Sequence, residues 1–288
     1  MDQRERNVEI FEDTQKRCET QSELKDAIKK SRELQKFYSE NDLVEEYVQG
    51  ENAGETKLII SRKRSFEAAA GYPGKKVCVH NFASATNPGG GVTRGSNAQE
   101  ECLCRISTLY FNLADSRMMG QFYGAHRALH DARYNDDCIY TPEVVVFKDD
   151  SANPTILPKQ EWYTVNVLTC AAPNLRAIPS NRMNPNAGER VILSNQELLE
   201  MHKKRGRRIL NIAKENGNEV VILGAFGCGA FQNPPEVVAE AYRELMREFE
   251  GAFETVEFAV YCSPKDLTNY EVFRKKISSA LLKPVIVP

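Results

Sequence analysis

Residues 75–101 read KKVCVHNFASATNPGGGVTRGSNAQEE, and three kinds of local order follow one another in this stretch. The run KKVCVHNFA (75–83) has the length and β-branched content of a strand. Gly89, Gly90 and Gly91 then open positive-φ conformations and let backbone N–H groups approach a bound oxygen with no Cβ in the way. After a seven-residue spacer, Gln99-Glu100-Glu101 begins an apparent helix, QEECLCRISTLYFNL, with acidic residues in the first turn, where the helix dipole favours them. Glycines alone mean a mobile loop, and glutamates alone a helix start. Their combination after a strand makes a candidate site.

Similar runs recur at PEVVVFKD (142–149), YTVNVLTCAA (163–172), EVVILGAFG (219–227) and TVEFAVYC (255–262), and TKLII (56–60) is also β-like. Helices are expected at 97–118, 121–131, 194–216 and 234–250, with a short one in SFEAAAG ended by Gly71. Strands alternating with helices predict an α/β fold, its sheet covered by helices on both faces. Residues 3–48 read as helical, with a second helix capped by Ser22. The expected organisation is an N-terminal helical extension (1–55) on one compact core (56–288), with 173–192 as an irregular connection.

Ligands of such sheets bind beyond the carboxyl ends of strands. Two of those ends are glycine-rich, as suits a ligand carrying phosphates: the loop at 89–91 and Gly224-Ala225-Phe226-Gly227-Cys228-Gly229-Ala230-Phe231. The second loop leads into a helix, with Asn233 expected as N-cap and Pro234 at the first helical position, a general anion site. It is neither a Walker A motif nor G-x-G-x-x-G. Phe226 reads as core, whereas Phe231 beside the turn is placed to stack on a ribose or base.

A net charge of −2 on 288 residues gives no global field toward nucleic acid, so direct nucleic-acid binding is not expected. No apolar run is long enough to span a bilayer, and the start MDQRERNVEI has no apolar secretory segment, so a cytoplasmic protein with no membrane partner is expected. The eight cysteines contain no Cys-x-x-Cys pair and read as mostly buried thiols, not as a zinc or disulfide framework. His126 and His130 share a helix face, but HRALH lacks the glutamate of H-E-x-x-H. His80 reads as a core residue, Cys228 as a low-ranked nucleophile with no paired histidine, and Lys203–Arg208 as a solvated basic face.

The spacing of the glycine triplet and Gln99-Glu100-Glu101 resembles the signature of poly(ADP-ribose) glycohydrolases. NFASATNPGGG resembles the distal-ribose loop of macrodomains, and GAFGCGAFQNPP looks like the diphosphate loop of the bacterial-type branch. YTPEVVVFKDD, VLTCAAPN and the N-terminal helices are similar to that branch in order and position. The resemblance implies a macrodomain-like mixed sheet flanked by helices, with the N-terminal helical extension. It implies Glu101 as catalytic acid/base and Glu100 as its neighbour on the ribose hydroxyls. Gly89, Gly90 and Gly91 would wrap the distal ribose and diphosphate, and Gly227, Cys228, Gly229 and Ala230 would form the second phosphate loop, with Phe231 against the ribose. Gln99 and Asn87 complete the substrate set, Ser84 and Asn81 being alternates to Asn87 and Asn174 and Ser263 positional guesses for the adenine. The implied activity is hydrolysis of the ribose–ribose O-glycosidic bond of poly(ADP-ribose), from chain ends, releasing ADP-ribose, with no metal or cofactor. Two alternatives stay open: release of ADP-ribose from modified protein or DNA, and a non-catalytic ADP-ribose-binding macrodomain.

Overall fold

The computed structural model describes residues 2–50, 54–181, 184, 187–263, 265–278 and 285–286. The chain begins with helices α1 (Gln3–Thr20) and α2 (Ser22–Leu34), then strands β1 (Lys36–Tyr38) and β2 (Lys57–Ser61). Helix α3 (Ser65–Ala69), strand β3 (Val77–Phe82) and the short helices α4 (Gln99–Ile106), α5 (Leu109–Leu113), α6 (Ser116–Met118) and α7 (Ala125–Leu129) follow. Next come β4 (Cys138–Val146), β5 (Tyr163–Cys170), α8 (Asn195–Glu215), β6 (Val220–Leu223), α9 (Pro235–Glu248), β7 (Thr255–Ala259), α10 (Thr268–Ser278) and β8 (Val285–Ile286). None of the helices among the described residues is long and apolar enough to cross a membrane.

The chain forms two compact units. The first comprises Met1–Glu40, Asn81–Ala171 and Ser180–Glu189; the second comprises Asn41–His80, Ala172–Pro179 and Arg190–Pro288. In the first, β4 pairs antiparallel with β1 on one side (Ile139 opposite Phe37) and with β5 on the other (Tyr140 opposite Leu168). Helices α1 and α2 contribute Cys18, Leu24 and Ile28 to an apolar cluster with Phe147, against which Phe111, Val145 and Trp162 pack. In the second unit the strands run parallel in the order β3-β6-β7-β2-β8. Every residue of β6 and β7 is buried, with no in–out alternation, which is what a parallel sheet with both faces covered requires. Phe258 of β7 meets Tyr242 of α9 and Phe273 of α10 at ring-centroid distances of 5.7 and 6.1 Å. Antiparallel strands in one unit and parallel strands in the other make the fold mixed α/β.

Several local expectations are corrected. Residues 3–48 are not all helical: α2 ends at Leu34 and Lys36–Tyr38 becomes an edge strand on β4. Beyond it, Tyr47 stacks on Phe249 and donates its hydroxyl to the Glu250 carbonyl, which holds the segment extended. Ser22 lies inside α2, after an N-cap at Gln21. The expected helix at 97–118 breaks at Ser107 and Thr108 because β4 captures the backbone: Thr108 N–H donates to the Val145 carbonyl, and Phe147 N–H to that of Ile106. Strand β4 begins at Cys138, not Pro142, since Pro142 and Glu143 occupy a bulge where the missing proline N–H costs no ladder bond. The run Lys203–Arg208 is not a solvated face: Arg205 is buried, Lys203 bridges Glu244, and Arg207 pairs with Glu248.

Truncating Phe258 to alanine removes the ring shared by α9, α10 and β7. It is expected to destabilise the protein by about 3–5 kcal/mol, read as a lower denaturation midpoint in urea.

Candidate active site

The loop leaving β3 turns twice before entering α4. Gly90 N–H donates to the Asn87 carbonyl (3.0 Å) and Val92 N–H to that of Gly89 (3.1 Å). Gly89 and Gly90 both take left-handed backbone, φ 65° and 57°. A Cβ on Gly90 would strike Glu101 Oε1 and stand 3.2 Å from Glu100 Oε2, so both carboxylates lie directly under this residue. Glu101 is buried in the first turn of α4. Its Oε1 accepts the Gly91 N–H (2.8 Å) and its Oε2 reaches back to the Ala98 N–H (2.9 Å). The second bond satisfies the N-cap amide of the helix, as a glutamate at the third helical position commonly does.

Glu100 has its own set of partners. Its Oε2 accepts the Ser84 N–H (2.7 Å) and its Oε1 accepts from Asn81 Nδ2 (3.3 Å), which also donates to Thr169 Oγ1 (3.2 Å). Burial pushes the Glu100 carboxyl up to about 8, and the adjacent Glu101 charge adds to this, against the pull of the N–H donors. Asn81 Oδ1 is buried without a hydrogen-bond partner. Gln99 Oε1 accepts the Phe82 N–H (2.9 Å), stitching α4 to the end of β3. Asn87 N–H donates to Ser84 Oγ (3.2 Å), and Asn87 Oδ1 accepts from Arg127 (3.3 Å). Thus Asn87, Gly89, Gly90, Gly91, Gln99, Glu100 and Glu101 are brought together, and the two alternates Ser84 and Asn81 are the partners of Glu100.

The second loop follows β6 in the other unit. Gly227 has φ 77°, and a Cβ there would stand 2.6 Å from Ala172 Cβ and 2.8 Å from Asn233 Nδ2. Asn233 is not the N-cap of α9; Pro234 is, and helix α9 starts at Pro235. The Asn233 amide instead donates to the carbonyls of Pro173 (2.7 Å), Gly227 (3.2 Å) and Phe231 (3.3 Å), while its Oδ1 meets His202 Nε2 (2.8 Å). This buried pair moulds the loop. Gly229 and Ala230 are exposed, Cys228 and Phe231 half-buried, and Phe226 is buried against His80 and His202. Asn174 Oδ1 accepts from Arg176 Nε (3.1 Å), and Ser263 bridges Asp266.

The remaining candidates fall into structural places. Burial pushes the Cys228 thiol well up, which disfavours a thiolate nucleophile. His126 is buried with Nδ1 on the Phe122 carbonyl (2.8 Å), and His130 is exposed with φ 48°. No group of three or more His, Cys, Asp or Glu side chains suited to a metal occurs among the described residues. Burial lowers His80 to about 3 and His202 to about 4, so both are neutral near pH 7. Sequence reasoning missed Ser96, within the spacer between the glycines and α4, and Arg4, Asn7 and Arg105, which bond to that spacer; the signal for them was Gly95, the extra glycine inside it.

An α/β fold carrying adjacent buried carboxylates beneath a glycine-built loop at a strand end defines the class: an α/β protein with the strand-end architecture at which such folds bind ligands. The sequence matches the family described as microbial-type PARG, catalytic domain, over residues 5–149. Among solved structures it is similar to poly(ADP-ribose) glycohydrolase (PARG) from Thermomonospora curvata, at 30% identity, with a TM-score of 0.80, covering 95% of this chain and 100% of that one. It is likewise similar to the enzyme from Deinococcus radiodurans in complex with ADP-ribose: 32% identity, TM-score 0.72, covering 88% of this chain and 98% of that one. The Thermomonospora enzyme bound to the inhibitor ADP-HPD matches at 29% identity, with a TM-score of 0.78, covering 95% of this chain and 100% of that one. Comparison with curated proteins gives no match. This chain belongs to the microbial-type PARG family, and its fold is the macrodomain-like one of those structures.

The raised Glu100 carboxyl has a consequence for stability. Its folded value, about 8, lies above its ordinary 4.5, so between those pH values the folded state keeps a proton that the unfolded chain has lost. Stability from this group is full below pH 4.5 and falls as pH rises toward 8. Melting temperatures of the wild type and Glu100→Gln, compared at pH 5, 6, 7 and 8, should diverge with rising pH in favour of the variant. Parallel curves would refute the shift.

Proposed function

We propose that this chain is a poly(ADP-ribose) glycohydrolase that hydrolyses the ribose–ribose O-glycosidic bond from chain ends and releases ADP-ribose. The observation that carries the reading is the placement of Glu101, its carboxylate held by two backbone N–H groups at the glycine loop with Glu100 buried beside it. Glu101 protonates the bridging oxygen as the bond to the distal C1 breaks and an oxocarbenium-like centre develops. The resulting carboxylate takes a proton from water as the water oxygen bonds to that carbon. One carboxylate serves as acid and then as base, unlike the paired carboxylates of most glycosidases. Glu100, pushed up to about 8, is largely protonated at neutral pH and so presents both a donor and an acceptor to the ribose hydroxyls.

The substrate set comprises Asn87, Gly89, Gly90, Gly91 and Gln99 around the ribose, and Gly227, Cys228, Gly229, Ala230 and Phe231 as the phosphate-binding loop. The exposed Gly229 and Ala230 favour the latter role, since their backbone is open to a ligand. The proposal includes residues 1–55 as an N-terminal extension, helical over α1 and α2, to a catalytic core of 56–288. It also includes a cytoplasmic place of action, supported by eight cysteines present as thiols.

Glu101→Gln should lower release of ADP-ribose from labelled polymer by roughly 10²- to 10⁴-fold, the usual worth of a general acid–base group, while calorimetric binding of ADP-ribose stays close to wild type. Turnover at the wild-type rate sinks the assignment. In an early time course ADP-ribose should be the sole small product; internal oligomers would rule out attack from chain ends. Faster turnover of mono-ADP-ribosylated protein or modified DNA than of polymer would move the substrate to those conjugates.

A further inference from the structure

The seven residues between the glycines and α4 hold Glu101 from both ends: Gly91 N–H binds one oxygen and Ala98 N–H, at the end of the spacer, binds the other. What fixes the middle of that segment is helix α1. Arg4 Nε donates to the Arg94 carbonyl (2.7 Å), and Asn7 Nδ2 donates to the Gly95 carbonyl (3.1 Å). Asn7 is 2% exposed, and its own Oδ1 is occupied by Gln3 Nε2 (3.1 Å), which leaves the amide nitrogen aimed at the loop. The two surfaces meet without space between them. Gly95 has φ 72°, and a Cβ there would collide with the Arg4 carbonyl oxygen and lie 2.9 Å from the Arg4 carbonyl carbon. Two turns further along α1, Thr14 Oγ1 donates to the Arg105 carbonyl in α4 (2.5 Å). The Arg105 guanidinium in turn donates to the Ser96 carbonyl (2.5 Å) and Asn97 Oδ1 (2.5 Å). The side chain of Ser96 lies where a Cβ on Gly91 would be.

We propose that α1 is a brace for the catalytic carboxylate, with Arg4 and Asn7 as positioning residues that hold the 91–98 segment so that its two end amides converge on Glu101. The proposal rests on the reading of Glu101 as the acid. The physical argument is that a hydrogen bond of this kind adds modestly to stability, whereas sub-ångström placement of an acid against its substrate governs rate steeply. Loosening the brace therefore acts on turnover more than on ligand affinity or global stability.

The test is a set of variants in the full chain, assayed on labelled poly(ADP-ribose). Asn7→Ala and Arg4→Met should each lower kcat by roughly five- to tenfold, the rate equivalent of about one hydrogen bond, with KM and the Kd for ADP-ribose within twofold of wild type. Arg4→Lys, which keeps a donor, should recover most of the loss. Hydrogen–deuterium exchange of the peptide covering 91–98 should accelerate in Asn7→Ala and Arg4→Met. Arg6→Ala, on the face of α1 turned to Asn153, should leave kcat and exchange unchanged. Wild-type kcat in both Asn7→Ala and Arg4→Met overturns the brace, as does a loss that merely follows the unfolded fraction. If Glu101→Gln is inactive while these variants are fully active, the brace fails and the functional reading stands. If Glu101→Gln is fully active, both fail.

Discussion

Two backbone N–H groups converging on one carboxylate constrain everything around them. For Gly91 and Ala98 to meet Glu101 from opposite ends of the spacer, the chain must double back immediately before a helix that starts at Gln99. A carboxylate at the third helical position reaches its own N-cap at little cost. Reaching a second amide requires the preceding loop to pass over the helix start with no side chain between, and Gly90 meets that demand, since any Cβ there would occupy the Glu101 oxygen's place. The left-handed turns at Gly89 and Gly90 follow, because L side chains rarely adopt that backbone. The loop is thus ordered by the carboxylate as much as the carboxylate is oriented by the loop.

The adjacent glutamates are separated by helix geometry. Successive residues of a helix point about 100° apart, so Glu101 faces the glycines while Glu100 turns to Ser84 N–H and Asn81 at the carboxyl end of β3. Glu100 is therefore held from the strand, by Asn81, as well as from the loop, by the Ser84 and Gly89 N–H groups, whereas Glu101 takes its two N–H donors from the loop. Asn81 is itself tied to Thr169 of β5, so the position of Glu100 is referred to the sheet. That division explains why the motif needs both a strand end and a helix start.

The alternation of strands and helices was legible because the buried strands of a parallel sheet are nearly continuous apolar runs, as β6 and β7 are. The glycine triplet and the paired glutamates were legible because their chemistry is local. Interactions between distant parts of the chain were not. Lys36–Tyr38 reads as the tail of a helix and becomes a strand only because β4 has a free edge. Asn233 has the residue type of an N-cap, yet its side chain is drawn to three carbonyls across the loop and to His202. Lys203–Arg208 resembles a solvated stripe until acidic partners on α9, Glu244 and Glu248, lie beside it. In each case the local propensity is real, and a tertiary partner overrides it.

Helix α1 shows the same limit at the site itself. On its own sequence it is a charged amphipathic segment with Phe11, Thr14 and Cys18 turned inward. Nothing in QRERNVEIFEDTQ announces that Asn7 is buried or that its amide meets Gly95, 88 residues away. A buried asparagine on a helix is retained only where its polar atoms are satisfied, and here both ends are, by Gln3 and by the loop. Lys148 ties down the same helix: it is 2% exposed, bridges Asp13, and donates to the Ile10 carbonyl and to Thr14 Oγ1. Burying that ammonium is costly unless its donors are all engaged, and α1 engages them. A helix that satisfies a buried lysine at its middle and the glycine–glutamate loop near its start cannot shift without breaking both, so its seat on Gly95 is fixed partly by contacts remote from that loop.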